Sequence, residues 1–226
     1  MTAVSLAEEL LLLAYDDETG KPTGSQIGLD LGMAAAVLVE LTLAGRIALA
    51  GAVLVVRDPT STGEPIEDEV LARMAADTPH TPESWVQRLR HRLRNRVLAD
   101  LVSRGVLRQL DETALEYIEV HRYPAVDASV EAEVRARLGA ALTGEEEPDE
   151  RTAALATLVA ATRMEPALRL PPGEVEAAHR RLAEIANTAG FTGTSGMEDS
   201  TVRPSVALVI VALTAAIKTA LGAPRV

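Results

Sequence analysis

The chain contains no cysteine, which excludes disulfides, thiolate nucleophiles and Cys-ligated zinc and fits a reducing compartment, with the cytoplasm as the expected location. Aromatic residues are almost as scarce. At 2% of the sequence, against 47% hydrophobic residues in all, they leave a core built from Leu, Val, Ile and Ala, a balance that favours helices over strands. Lysine is nearly missing as well. Only Lys21 and Lys218 interrupt an otherwise all-arginine basic set, which matches coding by a GC-rich bacterial genome. No uncharged apolar run reaches the roughly 20 residues of a bilayer span. The longest, 206–217, is bounded by Pro204 and Lys218 and reads as a buried core helix. Glu8 and Glu9 stand where a signal peptide would be apolar, so no export signal is expected.

What is present is enough chain for one domain over 1–226, a size that buries roughly 70% of its extended surface. A net charge of −11 repels nucleic acid and anionic lipid surfaces. Nucleic acid is therefore not an expected partner, and an anionic lipid needs a concentrated cationic patch.

Ser5 followed by Glu8 reads as a capping box opening a helix over 6–14. A second helix, apolar nearly all round except Glu40, is predicted over 31–44 with Gly45 as its left-handed terminator. Apolar runs at 47–49 and 53–56 predict a hairpin before a loop at 58–63, and no element is assigned between 64 and 80. Thr81, Pro82 and Glu83 supply an N-cap, an N1 proline and an acidic first turn for a helix that runs to Arg104 and stops at Gly105. A second hairpin is predicted from 106–107 and 117–120, with Asp111 and Glu112 between them. Helices follow at 128–142, 150–162, 172–188 and 205–221, with a Gly-rich loop at 190–200. The fold class is mainly α, with one or two small β-hairpins.

The patterns that carry catalysis are missing. His80, His91, His121 and His179 are scattered without metal-ligand spacing, so neither a metal nor a cofactor is expected. The Gly190, Gly193, Gly196 array lacks the Lys-Ser/Thr pair and preceding strand of a phosphate loop, and Ser195 is not in a nucleophile elbow. The Asp16–Asp17 pair reads as a solvated turn. An enzyme is not expected.

One charge feature stands out: Arg88, Arg90, Arg92, Arg94 and Arg96 fall within nine positions of an acidic chain. On a continuous helix Val86, Leu89, Leu93, Val97 and Leu101 form the apolar side. Arg90 and Arg94 then stack at i, i+4, and His91 meets Arg94 at i, i+3. Arg90, His91 and Arg94 converge along one edge as a candidate anion site, since guanidinium groups grip phosphate in bidentate fashion. The alternative is a solvated arginine face paired with carboxylates of other helices.

Three stretches, 8–20 (EELLLLAYDDETG), 37–49 (VLVELTLAGRIAL) and 94–107 (RNRVLADLVSRGVL), resemble signature segments of the Golgi phosphoprotein 3 family. Weaker similarity extends through 150–162 and 206–217. The resemblance implies a compact multi-helix domain with a buried central bundle, surrounding amphipathic helices and a protruding hairpin used in self-association and membrane contact. It also implies a non-enzymatic peripheral membrane protein that binds phosphatidylinositol 4-phosphate; eukaryotic relatives act as adaptors for cytosolic protein tails.

Carried over by position, the family's paired head-group arginines fall at His91 and Arg94. The pocket's tryptophan and helix arginine fall at Ser25 and Ala34 and are lost here. Arg90, Arg92 and Arg46 are further cationic donors. The hairpin implied for membrane contact or self-association carries Tyr117, Ile118 and Tyr123. Trp85 reads as a packing residue over the Leu89 turn, with a membrane-interface anchor as the alternative. The resemblance thus implies binding of a phosphoinositide-type head group. The competing expectation is a soluble adaptor that keeps the fold, has lost the phosphate pocket and binds basic peptide tails.

Overall fold

The computed structural model describes residues 4–114, 118–170, 173–190 and 204–222. In chain order its elements are α1 (Leu6–Ala14), α2 (Gln26–Leu43), β1 (Ile47–Ala50), β2 (Val53–Val56), α3 (Pro65–Ala76) and α4 (Pro82–Ser103). They continue with β3 (Leu110–Ala114), β4 (Ile118–Arg122), α5 (Ser129–Thr143), α6 (Glu150–Thr162), a 3-10 turn (Glu165–Leu168), α7 (Val175–Gly190) and α8 (Pro204–Gly222). The mainly α expectation with two small hairpins is met.

The central helix is α2, which packs against α1, α3, α4, α6 and α8. It has the length and apolarity of a membrane span, but 72% of it is buried inside the protein, as a core helix would be. Its predicted start at Leu31 is corrected to Gln26. Ser25 caps it by accepting a hydrogen bond from Gly28 N–H at 3.1 Å. The glycines that look like breakers in the sequence are needed by the packing. A Cβ on Gly28 would lie 2.7 Å from the Thr162 carbonyl oxygen, and one on Gly32 2.7 Å from Thr162 Cγ2. At the other end Gly45 takes φ +72, as its role of terminator requires.

The capping box of α1 forms as read: Glu8 Oε2 accepts from Ser5 N–H at 2.7 Å while the Ser5 hydroxyl accepts from Glu8 N–H. All nine residues of α1 are buried, including Glu8 and Glu9. Burying carboxylates requires partners. Glu9 is paired with Arg137 of α5 at 2.6 Å and with Arg151 of α6, and Arg151 also binds Glu40 of α2 at 2.6 Å and the Val4 carbonyl. Glu8 pairs with Arg104.

Three further expectations are corrected. The stretch 64–80, given no element, contains α3, with Pro65 in its first turn, Glu67 and Asp68 as its acidic start, and Val70, Leu71 and Met74 buried. The second hairpin pairs β3 with β4, so Asp111 sits opposite His121 and Glu112 opposite Val120 inside the strands rather than between them. Val106 and Leu107 are buried and pair further down, Leu107 bridging Ala125. Finally, α8 is buried on one side only. Val206, Val209, Ile210, Leu213 and Ile217 face the core, while Leu208 and Val211 are 57% and 41% exposed.

Candidate anion-binding site

Helix α4 starts and stops where the sequence says. Thr81 Oγ1 accepts from Ser84 N–H at 3.2 Å, Pro82 sits in the first turn, and Gly105 follows the last residue with φ +72. Val86, Leu89, Leu93, Val97 and Leu101 are all buried. Trp85 is buried too, edge-on to His80 with ring centroids 5.4 Å apart, which makes it a packing residue.

The continuous helix assumed for the cationic edge is corrected: α4 breaks at His91 (φ −73, ψ 125) and Arg92 (φ 68, ψ −6). Neither proline nor glycine lies nearby to announce the break. A straight helix would stack Arg88, Arg92 and Arg96, and Arg90 on Arg94, like charges costing a few tenths of a kcal/mol per pair. A left-handed arginine costs about 1–2 kcal/mol. Relief of repulsion therefore offsets only part of the strain, and tertiary contacts hold the rest.

The break divides the cations between two neighbours. Arg94 turns toward α2, where its Nε lies 3.3 Å from Asp30 Oδ1 and its Nη1 donates to Gln26 Oε1 at 3.0 Å. Burial raises the Asp30 pKa, and Arg94, Arg90 and His91, in that order, oppose the rise. Of the three residues singled out from sequence, Arg94 contacts this carboxylate, while Arg90 and His91 act on it through charge alone. Tyr15 borders the group; burial raises its pKa against the pull of Arg94, and its ring meets Tyr123 edge-on at 6.2 Å. The Arg90 Nε is buried without a hydrogen-bond partner.

On its other side the break opens a cleft of about 310 Å³ against α3, lined by Arg73, His91, Arg92 and Arg96 together with Glu69 and the apolar Ile66, Val70, Leu89 and Leu93. Arg96 is paired with Glu69. Arg73 and Arg92 have no ion pair or hydrogen bond among the described residues. Sequence reading missed Arg73 because no helix was assigned to it, and Asp30 because it fell before the predicted start of α2.

The remaining candidates are placed as follows. Ser25 is spent on the α2 cap and Ala34 is fully buried one turn after Asp30. Arg46 is held by Asp58 and the Ser61 carbonyl. Tyr117 lies outside the described residues, Ile118 opens β4, and Tyr123 N–H donates to the Gly20 carbonyl at 3.0 Å, tying the hairpin to the turn after α1.

Chemically the arrangement suits reversible electrostatic recognition of an oxyanion: two uncommitted guanidinium groups at an open cleft, with a third, Arg94, satisfied internally. The cleft is built by α3 and α4, with α2 holding Arg94 behind it, and α2 and α4 carry two of the stretches on which the sequence resemblance rests. A family model described as Golgi phosphoprotein 3 (GPP34) matches residues 6–215, nearly the whole chain, and the chain therefore belongs to the Golgi phosphoprotein 3 family.

Proposed function

We propose that this is a non-enzymatic, cytoplasmic peripheral membrane protein that binds an anionic phosphoinositide-type lipid head group, phosphatidylinositol 4-phosphate by family resemblance. The observation that carries the reading is the broken α4, where Arg73 and Arg92 stand uncommitted beside His91 and Arg96 in one cleft. A phosphomonoester offers two charges and three acceptor oxygens, and each charge-assisted bond contributes about 1.5–3 kcal/mol net. Because the chain as a whole is acidic, approach to an anionic bilayer needs a local cationic patch, and this cleft supplies one. The β3–β4 hairpin is the proposed element of self-association.

A second reading, a soluble adaptor for basic protein tails, is favoured by one observation: Asp30 and Gln26 already satisfy Arg94, the one head-group arginine retained from the family pattern. Co-sedimentation with liposomes of phosphatidylcholine alone, or doped with phosphatidylinositol, its 4-phosphate or cardiolipin, separates the two. The lipid reading expects binding that needs an anionic lipid, falls with salt and is lost in Arg73→Ala/Arg92→Ala. Absence of binding to every vesicle favours the adaptor.

A further inference from the structure

On the opposite side of α3 from the cationic cleft lies a second cavity, of about 250 Å³, lined by Val4, Ser5, Glu40, Ala44, Thr62, Glu64, Glu67 and Arg151. Its charges are uneven. Arg151 is fully committed, with Nη1 on Glu40 at 2.6 Å, Nη2 on the Val4 carbonyl at 2.6 Å and Nε on Glu9 at 3.3 Å. Glu40 accepts, in addition, from the Leu6 N–H at 2.9 Å. Among the described residues, Glu64 and Glu67 are left without an ion pair.

Glu67 is the unusual one. The residue is only 4% exposed, yet among the described residues it forms no ion pair and its Oε1 has no hydrogen-bond partner. A buried unpaired carboxylate is costly, so the group needs either a proton or a cationic visitor. Burial opposes its ionisation most, Glu40 and Glu64 add to that, and its own backbone N–H and the Ser5 hydroxyl favour the charged form.

We propose that this cavity is a binding site for a small organic cation bearing a primary ammonium group, with Glu67 as its principal anion and Glu64 as the second. Three N–H donors of an ammonium match the Glu67 oxygen, the Glu64 carboxylate and the Ser5 hydroxyl, while Val4 and Ala44 supply an apolar wall for an alkyl stem. Two free carboxylates are too few for a dehydrated calcium ion, which takes 6–8 oxygens. Binding competes with protonation of Glu67, whose pKa burial raises to about 7. Affinity therefore increases as pH rises through 7, by about tenfold between pH 6 and 8.

The test is calorimetric titration of the full chain with n-butylammonium chloride at pH 8 and pH 6, against tetramethylammonium chloride at equal ionic strength. Expected are saturable one-to-one binding of n-butylammonium, a loss of about ten- to a hundredfold in Glu67→Gln, and a smaller loss in Glu64→Gln. Tetramethylammonium, which has the charge but no N–H donors, should not bind. Equal affinity for both cations, or unchanged affinity in Glu67→Gln, overturns the proposal. Should Glu67→Gln fail to fold, the wild-type ratio between pH 8 and pH 6 together with Glu64→Gln decides it, and a ratio near one counts against the site.

Discussion

Arg94 Nε lies 3.3 Å from Asp30 Oδ1, so the arginine that a phosphate would seek already has an anion from within the chain. Asp30 precedes Ala34 by one helical turn on the same face of α2, and family resemblance places the pocket's helix arginine at the Ala34 position. The carboxylate thus occupies a neighbourhood that the lipid reading needs to be cationic.

Asp30→Asn removes that competitor while keeping the shape of the side chain. Affinity for liposomes carrying phosphatidylinositol 4-phosphate should rise by about tenfold, the equivalent of one charge-assisted contact regained. Arg94→Ala should cancel the gain. Co-sedimentation of the two single variants and the double variant measures this, and a null effect of Asp30→Asn would leave the cleft beside Arg92 as the sole anion contact.

Arg92 separates stability from binding. Its φ of 68 suits glycine, so Arg92→Gly should leave thermal stability unchanged or raise it by about 1 kcal/mol while weakening anion binding. Most substitutions that damage a site also loosen the fold. Opposite signs in calorimetry and in co-sedimentation would show that strain at this position is tied to recognition.

The close approach of α6 to α2 is testable by a double-mutant cycle. Gly32→Ala drives a Cβ to 2.7 Å from Thr162 Cγ2, an overpacking worth about 1–3 kcal/mol. Thr162→Ser deletes that methyl yet keeps the hydroxyl, which donates to the Leu158 carbonyl at 2.8 Å, and should restore most of the loss. Gly28→Ala should not be rescued, because its added carbon meets the Thr162 carbonyl oxygen instead. Urea denaturation of the wild type, the three single variants and the two double variants with Thr162→Ser gives the coupling energies.

Buried Glu67 sets a direction for stability against pH. Burial raises its pKa from 4.5 to about 7 in the folded state, so its protonated form is the stabilised one. The stabilisation is complete below the unfolded value and is lost as pH rises through 7. Glu8 and Glu131, raised to about 7 by burial against the opposing pull of Arg104 and Arg135, move the same way. Glu67→Gln should therefore gain up to about 3 kcal/mol at pH 8, little at pH 5, and flatten the profile without abolishing it. Thermal denaturation from pH 5 to 8 checks it.

Where a helix end is fixed by local chemistry, the sequence was a sufficient guide. The Ser5/Glu8 box, the Thr81–Pro82 start and the Gly45 and Gly105 stops all act within one turn of themselves. Where an end or a break is fixed by a distant partner, it was not. Gly28 and Gly32 make sense only once Thr162 is seen against them, and the kink at Arg92 carries no proline or glycine to mark it. The site follows the same rule. The cationic run was visible, but which guanidinium is free depends on Asp30 and Glu69, carboxylates from helices that sequence spacing does not relate to α4.

The pairing of Glu9 with Arg151 spans 142 positions, and it has a consequence for the newborn chain. At roughly 5–20 residues per second of synthesis, on the order of ten seconds separate the emergence of α1 from that of Arg151, one of the two arginines paired with Glu9. Throughout that interval α1, every residue of which ends up buried, can pack against α2 but lacks α6. The last counter-charge of Glu9 thus arrives only after most of the chain has been made, and the yield of folded protein is expected to respond to the speed of synthesis as well as to the stability of the finished molecule.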